Sequence, residues 1–272
     1  MHNKLSRNHR IAAITKILLE NPNKIISLKN FTELFNTAKS TVSEDIVMVR
    51  DTFEKLDVGN VETVSGAAGG VKYVCGLSKE KSREFAEGLC IILKNRERII
   101  PGNFLYMTDI MFNPRIIYTA GVILASKFIG KAVDYVVTVE TKGIPLAYEV
   151  AKMLGVQMVV VRRESKFTEG STITINYVSG STGRIQNMSL SKKAMKSGSK
   201  CIFIDDFMRA GGTAVGIINL LKEFDSELLG IGVLIDNVET PKKLVRDYVS
   251  IVDFKGIDDK GDAQLFPSEA VE

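Results

Sequence analysis

The sequence predicts an α/β chain in two parts, a small helical module that ends in a β-hairpin and a larger parallel sheet flanked by helices. Two observations support this fold class. In residues 1–75, apolar side chains recur at helical spacing and precede two short β-rich pieces joined by GAAGG. From about residue 77, apolar strands alternate with helices, as in parallel sheets covered on both faces. We therefore expect domains at 1–75 and 76–272.

Length and composition are those of an ordinary globular protein. The 272 residues suffice for two modest domains, and 45% are hydrophobic and 25% charged. A net charge of +4 only weakly favours polyanionic partners. Cys75, Cys90 and Cys201 show no CxxC spacing, which indicates reduced thiols rather than a disulfide framework or a zinc site. No signal peptide or membrane span is predicted, so we expect a cytoplasmic protein.

The first module is predicted to contain three helices, at residues 8–20, 28–36 and 38–56. In the third helix, Thr41 and Glu44 have the spacing of a capping box, and an apolar stripe recurs on one face. The pieces VETVSG and GVKYVCG then form the hairpin, with a glycine-rich tip.

Three helices followed by a β-hairpin wing is the layout of a winged helix-turn-helix, whose third helix enters the major groove of DNA. The basic N-terminal arm, the polar leading end of the third helix and the wing would supply the contacts. The predicted DNA-binding residues are Lys4, Arg7, Arg10, Lys39, Ser40, Thr41, Ser43 and Lys72. A helical dimerisation or protein-binding domain is the alternative, because residues 1–76 hold ten basic and eight acidic residues, a net charge of only +2.

The second module carries two adjacent carboxylates at the end of the apolar strand CIFIDD. Asp205 and Asp206 would lie at the carboxyl edge of a parallel sheet, where ligands of such folds bind. The loop RAGGT (209–213) then offers backbone N–H groups at a helix N-terminus, which favours an anion. Together they suit a phosphorylated sugar, with hydroxyls on the acids and phosphate on the loop. A solvated strand–helix turn is the simpler alternative.

Two further segments fit a phosphorylated ligand. Thr141, Lys142 and Gly143 follow the strand YVVTVE, where a lysine and a glycine could close on phosphates. Residues 162–200 contain eight Lys or Arg and two Glu, a net charge of +6. We interpret this segment as a mobile lid over a polyanion, with a solvated hairpin as the alternative.

The motifs IDDFMRAGGT, VVTVETKGIPLA, TEGSTITINYVSGSTGRIQNMSLSKK and SGAAGGVKY together resemble the purine operon repressor (PurR) family of Gram-positive bacteria. The resemblance runs from about residue 4 to about residue 250. It implies an α/β fold class with an N-terminal winged helix-turn-helix and a C-terminal type I phosphoribosyltransferase fold, a parallel sheet flanked by helices. It also implies a homodimer, formed through the second domain, that binds double-stranded DNA and takes phosphoribosyl pyrophosphate (PRPP) as effector.

The resemblance assigns roles by position. The acidic pair would bind the ribose hydroxyls, residues 209–213 the 5-phosphate and residues 141–143 the pyrophosphate, with Arg209 where relatives often have lysine. Phe207 lies where a purine would stack, and Tyr106 could border it, so guanosine tetraphosphate or another purine nucleotide could compete there. The implied effector-binding residues are Tyr106, Thr141, Lys142, Gly143, Asp205, Asp206, Phe207, Arg209, Ala210, Gly211, Gly212 and Thr213.

The implied function is repression of purine biosynthesis genes, with PRPP as the inducer that releases the protein from DNA. We expect a regulator with neither enzymatic activity nor a resident cofactor or metal, and no membrane partner. An active purine phosphoribosyltransferase of the xanthine type is the alternative. Whether the protein represses or activates each target gene, and whether it needs Mg²⁺, stays open at this point.

Overall fold

The computed structural model of the chain describes residues 5–102, 104–164, 168, 170–178 and 183–271. The chain forms two compact units. The first consists of Met1–Ser78 with Met153–Gly155, and the second of Lys79–Lys152 with Val156–Glu272. Within the described ranges, no helix combines the length and the apolar character that a membrane span requires.

The first unit contains three helices, α1 (Arg7–Glu20), α2 (Leu28–Phe35) and α3 (Lys39–Leu56), followed by an antiparallel hairpin of β1 (Asn60–Val64) and β2 (Gly70–Val74). The predicted order of elements is confirmed. Each helix directs one apolar face inward, and the interior is filled by Ile14, Leu18, Phe31, Phe35, Val42, Ile46, Val49, Phe53, Val61 and Tyr73.

The start of α3 differs from the prediction. The helix begins at Lys39, and its N-cap residue, Ala38, makes no side-chain capping bond. Thr41 therefore lies inside the first turn, so the predicted capping box with Glu44 is wrong. The other two helices do have serine caps, since Ser6 and Ser27 accept the N–H groups of residues three positions later.

The second unit is built on a six-stranded sheet with the order β12-β11-β10-β9-β5-β6, in which only β12 is antiparallel to its neighbour. The sheet consists of β5 (Tyr135–Val139), β6 (Gln157–Val161), β9 (Lys200–Met208), β10 (Glu227–Asn237), β11 (Tyr248–Ile257) and β12 (Ala263–Pro267). Two separate antiparallel pairs are formed by β3 (Ile99–Ile100) with β4 (Phe104–Leu105) and by β7 (Thr172–Val178) with β8 (Ile185–Ser191). Its helices are α4 (Lys79–Leu93), α5 (Thr108–Met111), α6 (Pro114–Ser126), α7 (Ile144–Leu154) and α8 (Gly212–Lys222).

Two predictions for this unit are wrong. The apolar spacing of residues 84–100 predicts one helix, but α4 ends at Leu93, because the apolar residues 99–100 pair with β4 instead. The polar composition of the last dozen residues predicts a frayed end, but in the described part of that segment Ala263, Leu265 and Val271 are buried. The chain end thus completes the sheet edge and its core.

The basic segment after β6 forms an antiparallel hairpin, β7–β8. The middle and turn-side part of the hairpin pack on α8 at Gly216, where a Cβ atom would lie 2.8 Å from Met188 Sδ and 3.0 Å from Tyr177 Cγ. The backbone of Ser189 also pairs with Arg162, just beyond β6. Both strands of the hairpin therefore contribute side chains to the packed interior, whereas residues 165–167, 169 and 179–182 of the predicted lid lie outside the described residues.

Candidate functional site

A cavity of about 930 Å³ opens at the carboxyl ends of β5, β9 and β10 in the second unit. This is the edge at which ligands of parallel sheets bind, and the size suits a small molecule. Ten of the twelve residues predicted to bind an effector line it: Thr141, Lys142, Asp205, Asp206, Phe207, Arg209, Ala210, Gly211, Gly212 and Thr213. Two separate sequence segments, 141–142 and 205–213, thus converge on one cavity.

The acidic pair lies on β9, which runs through both carboxylates to Met208. The backbone N–H of Asp206 donates to Asp205 Oδ1 at 2.9 Å. Asp205 keeps some contact with the cavity, but protein surrounds it so closely that desolvation raises its pKa well above the usual range. The negative charge of Asp206 raises that pKa further. Ligand hydroxyls that donate hydrogen bonds would relieve both effects.

Gly143 does not line the cavity but lies directly behind the acidic pair. A Cβ atom at this position would be 2.7 Å from Thr138 Oγ1 and 2.8 Å from Asp205 Oδ1. Only glycine lets the 141–143 turn approach β9 so closely. The turn follows a cis peptide bond between Glu140 and Thr141. The Glu140 carboxylate in turn accepts the backbone N–H of Arg163 at 2.8 Å.

The loop after the acidic pair leads into α8. Gly211 adopts φ +86°, a left-handed conformation that favours glycine, and the helix begins at Gly212. The first N–H groups of a helix have no partner within it, so this end presents donors and a positive dipole to the cavity. The Tyr177 hydroxyl donates to Gln186 Oε1 at 2.7 Å. Burial raises the pKa of Tyr177.

One end of the cavity is apolar. The rings of Phe207 and Phe254 meet edge to face with their centroids 6.3 Å apart. The second predicted aromatic residue, Tyr106, is 45% exposed and is not among the described lining residues, although Leu105 and Met107 on either side of it are. This end has the shape and chemistry for a flat, apolar-faced group.

Several lining residues were not assigned to the site from the sequence. Arg163 and Tyr177 come from the hairpin segment, Asn237 is the last residue of β10, and Glu239 follows that strand. Asn237 could have been found, because β10 neighbours β9 and ends at the same edge of the sheet. Phe254 could not, since β11 was not predicted as a strand.

In the first unit, the leading end of α3 is polar and open. Lys39, Ser40 and Ser43 are exposed, and Thr41 is half-buried beside a shallow depression between α2 and α3. Ser43 Oγ donates to the carbonyl of Lys39 at 3.0 Å. Four predicted DNA-binding side chains thus lie together at one end of α3.

The predicted DNA contact of Arg10 is contradicted by its burial, because its side chain is only 9% exposed. Arg10 Nε donates to Asp45 Oδ2 at 2.7 Å, and its Nη2 donates to Oδ1 at 3.3 Å. This ion pair ties α1 to α3. Asp45 is therefore buried in the module rather than facing solvent, and Arg7, 57% exposed, lies 3.5 Å from it.

The remaining predicted contacts have different settings. Lys72 lies within β2 rather than at the wing tip, and its ammonium is 3.4 Å from Glu62. Lys4 lies outside the described residues. The wing tip, residues 65–69, consists of serine, alanine and glycine, so its side chains are small.

Comparison with known proteins identifies both modules. Residues 6–75 match the family described as "Bacterial purine repressor, N-terminal", and residues 116–267 match "Phosphoribosyl transferase domain". The chain is 46% identical over 257 residues to the purine biosynthesis transcriptional repressor PurR of Bacillus subtilis, which covers 94% of this chain and 90% of the relative. The chain belongs to the PurR family. The resemblance to this family, predicted from the sequence motifs, is confirmed.

The chain is also similar to another PurR-family member and to solved structures. The purine biosynthesis transcriptional activator PurR of Lactococcus lactis subsp. lactis is 39% identical, over 93% of this chain and 94% of that protein. Adenine phosphoribosyltransferase from Saccharomyces cerevisiae superposes with a TM-score of 0.53 at 23% identity, covering 61% of this chain and 98% of the enzyme. At that identity the likeness shows the fold alone. The PurR-family chain thus has the predicted fold class, a winged helix joined to a type I phosphoribosyltransferase fold.

Proposed function

We propose that this chain is a transcriptional repressor of purine biosynthesis genes that binds PRPP as its inducer. One observation carries the proposal: the acidic pair, the 141–143 turn and the loop at the start of α8 line or underlie one cavity. The close relative from Bacillus subtilis is named a repressor, and we extend that role to this chain.

The cavity has a complementary group for each part of PRPP. The ribose hydroxyls would donate to Asp205 and Asp206, which are acceptors in need of donors. The 5-phosphate would accept N–H groups at the start of α8. The pyrophosphate would lie on the 141–143 turn, where Lys142 supplies positive charge. A purine ring of a competing nucleotide, such as guanosine tetraphosphate, would lie against Phe207.

DNA binding would use α3 and the wing of the first unit. Lys39 and the nearby hydroxyls lie at the leading end of α3, the part of a recognition helix that approaches the major groove. We propose that two copies bind a purine-gene operator as a homodimer, which would present two such helices to successive half-sites. A repressor of chromosomal genes would act in the cytoplasm.

Induction requires that PRPP favour a state with lower DNA affinity. In one route the basic hairpin segment contacts DNA phosphates, and the charged ligand neutralises it. In the other, ligand binding reorients the winged helices within the dimer. Charge reversal of Lys192 and Lys193 separates the routes, because direct contact predicts a shallower salt dependence of DNA binding and an unchanged slope argues against it.

We infer that the cavity senses PRPP rather than consuming it. The supporting observations are the full-length relatives named as transcriptional regulators and the winged helix, which a transferase does not need. Incubation with PRPP, Mg²⁺ and adenine, guanine, hypoxanthine or xanthine tests this inference. We expect no pyrophosphate release above the rate without base, and rapid release would establish a transferase instead.

The decisive experiment is a gel shift on DNA upstream of purine genes, with and without PRPP. We expect the wild-type protein to bind and to be released by PRPP. The double variant Asp205→Asn, Asp206→Asn should bind the same DNA but resist release. Release of the variant at the wild-type PRPP concentration would refute the assigned role of the acidic pair.

A further inference from the structure

A lysine outside the lining of the cavity is bonded to the loop that forms part of that lining. Lys243 lies between β10 and β11, and its ammonium donates to Arg209 O at 2.6 Å, to Asn237 O at 2.7 Å and to the Asp236 carboxylate. An ammonium group has three N–H bonds. All three are therefore used, and they join the end of β10 to the loop after β9.

The position of this lysine is fixed from below. Asp236 is only 3% exposed, and its second carboxylate oxygen accepts the Tyr248 hydroxyl at 2.8 Å. The Lys243 side chain itself is 18% exposed. A buried frame from β10 and β11 thus holds the ammonium in place beneath the loop.

The bonds to the loop determine the direction of its amides. In a trans peptide, the N–H points opposite to the carbonyl of the same peptide unit. The Arg209 carbonyl accepts from Lys243, and the Ala210 carbonyl accepts the Leu244 N–H at 2.8 Å. The N–H groups of Ala210 and Gly211 must therefore point away from this segment.

Packing enforces the same orientation at Gly211. A Cβ atom there would lie 2.9 Å from the Val245 side chain, so the loop is pressed onto the 243–245 segment. Ala210 and Gly211 line the cavity on their other side. The amides that the 243–245 segment turns away are those available to an anion in the cavity.

We propose that Lys243 is a positioning residue for the phosphate-binding loop, which it holds with its amides directed into the cavity. The identity of the bound phosphate rests on the proposed function, but the orientation of the loop does not. Lys243 acts through backbone carbonyls and needs no contact with the ligand.

The first test needs no ligand. Amide hydrogen exchange of the full-length protein is compared among wild type, Lys243→Met and the control Lys242→Met, which removes the same charge from the exposed neighbouring position. The reporters are the N–H groups of Leu244 and Val215, which donate to the carbonyls of Ala210 and Gly211 and are protected only while the loop keeps its place. We expect their exchange to rise at least about tenfold in Lys243→Met only. The double variant Lys243→Met, Asp236→Asn removes the unpaired buried carboxylate and should show the same increase if the single variant folds poorly. Equal exchange in the Lys243 and Lys242 variants would overturn the proposal.

The second test separates the loop from the rest of the cavity by calorimetry with ribose 5-phosphate and with pyrophosphate. Lys243→Met should weaken ribose 5-phosphate binding at least about tenfold and leave pyrophosphate binding unchanged. Equal weakening of both ligands, or of both lysine variants, would contradict a role specific to the loop. If wild type bound neither ribose 5-phosphate nor PRPP, the proposed effector would be wrong, and the exchange experiment would still decide the role of Lys243.

Discussion

Replacement of Gly143 by alanine is the sharpest test of how the cavity is built. The new Cβ atom would lie 2.7 Å from Thr138 Oγ1, 2.8 Å from Asp205 Oδ1 and 3.3 Å from Asp205 Cα. Carbon and oxygen atoms at such distances overlap by about 0.5 Å. Thr138 is fully buried, so it cannot move aside, and the 141–143 turn must separate from β9.

Overpacking of this kind costs about 1–3 kcal/mol. Because the strain would fall between the acidic pair and the turn, we expect PRPP affinity to drop by about 5-fold to 150-fold, measured by calorimetry. Operator release should need correspondingly more PRPP. The control is Gly88→Ala, at an exposed helical position with no atom within 4 Å of the new Cβ, which should stabilise α4 and leave affinity unchanged. Wild-type PRPP affinity in Gly143→Ala would refute the proposed close approach.

Three other predictions follow from the charges. Arg10→Met should lower the free energy of unfolding by about 3 kcal/mol or more, because it leaves the buried Asp45 carboxylate without its closest partner. The exposed Arg7→Met variant should lose under about 1 kcal/mol. Urea unfolding of both variants measures the two losses, and equal losses would contradict the prediction. The raised pKa of Asp205 means that the folded protein binds this proton more tightly than the unfolded chain does, so wild-type stability is lost as pH rises through that pKa. Asp205→Asn lacks this loss, and its stability advantage over wild type should grow as pH rises above about 4, the ordinary pKa of an aspartate; a constant difference would argue against the raised pKa. Lys39→Ala should reduce the slope of log operator affinity against log salt concentration by about 1. Lys55→Ala should leave the slope unchanged, because Lys55 lies on the same helix but is paired with Asp51. Equal slopes for the two variants would exclude a phosphate contact by Lys39.

The elements that could be predicted from the sequence are those buried on every side, because their residues are then almost all apolar. The strands at 135–139, 157–161, 200–208 and 227–237 are nearly continuous apolar runs, because helices cover both faces of a parallel sheet. The acidic pair stood out for the same reason, since carboxylates interrupt such a run only at its end. The edge rule for parallel sheets then predicted where the other ligand-facing loops would converge.

The features that escaped prediction depend on partners distant in sequence. The burial of Arg10 depends on a carboxylate 35 residues later, so its charge alone suggested a DNA contact. Ile99 and Ile100 continue the helical spacing of the preceding segment, but they pair with β4. In β11 the apolar residues are interrupted by Ser250, Asp253 and Lys255, and the segment became recognisable as a strand only beside β10.

The glycine at position 216 has a consequence for how the basic hairpin can respond to a ligand. Because Tyr177 and Met188 pack directly against this glycine, the middle and turn-side part of the hairpin are held on α8. The hairpin cannot swing from its root like a hinged flap. An anion that shifts α8 would carry these parts of β7 and β8 along with the helix, and occupancy of the cavity would then displace a cationic surface.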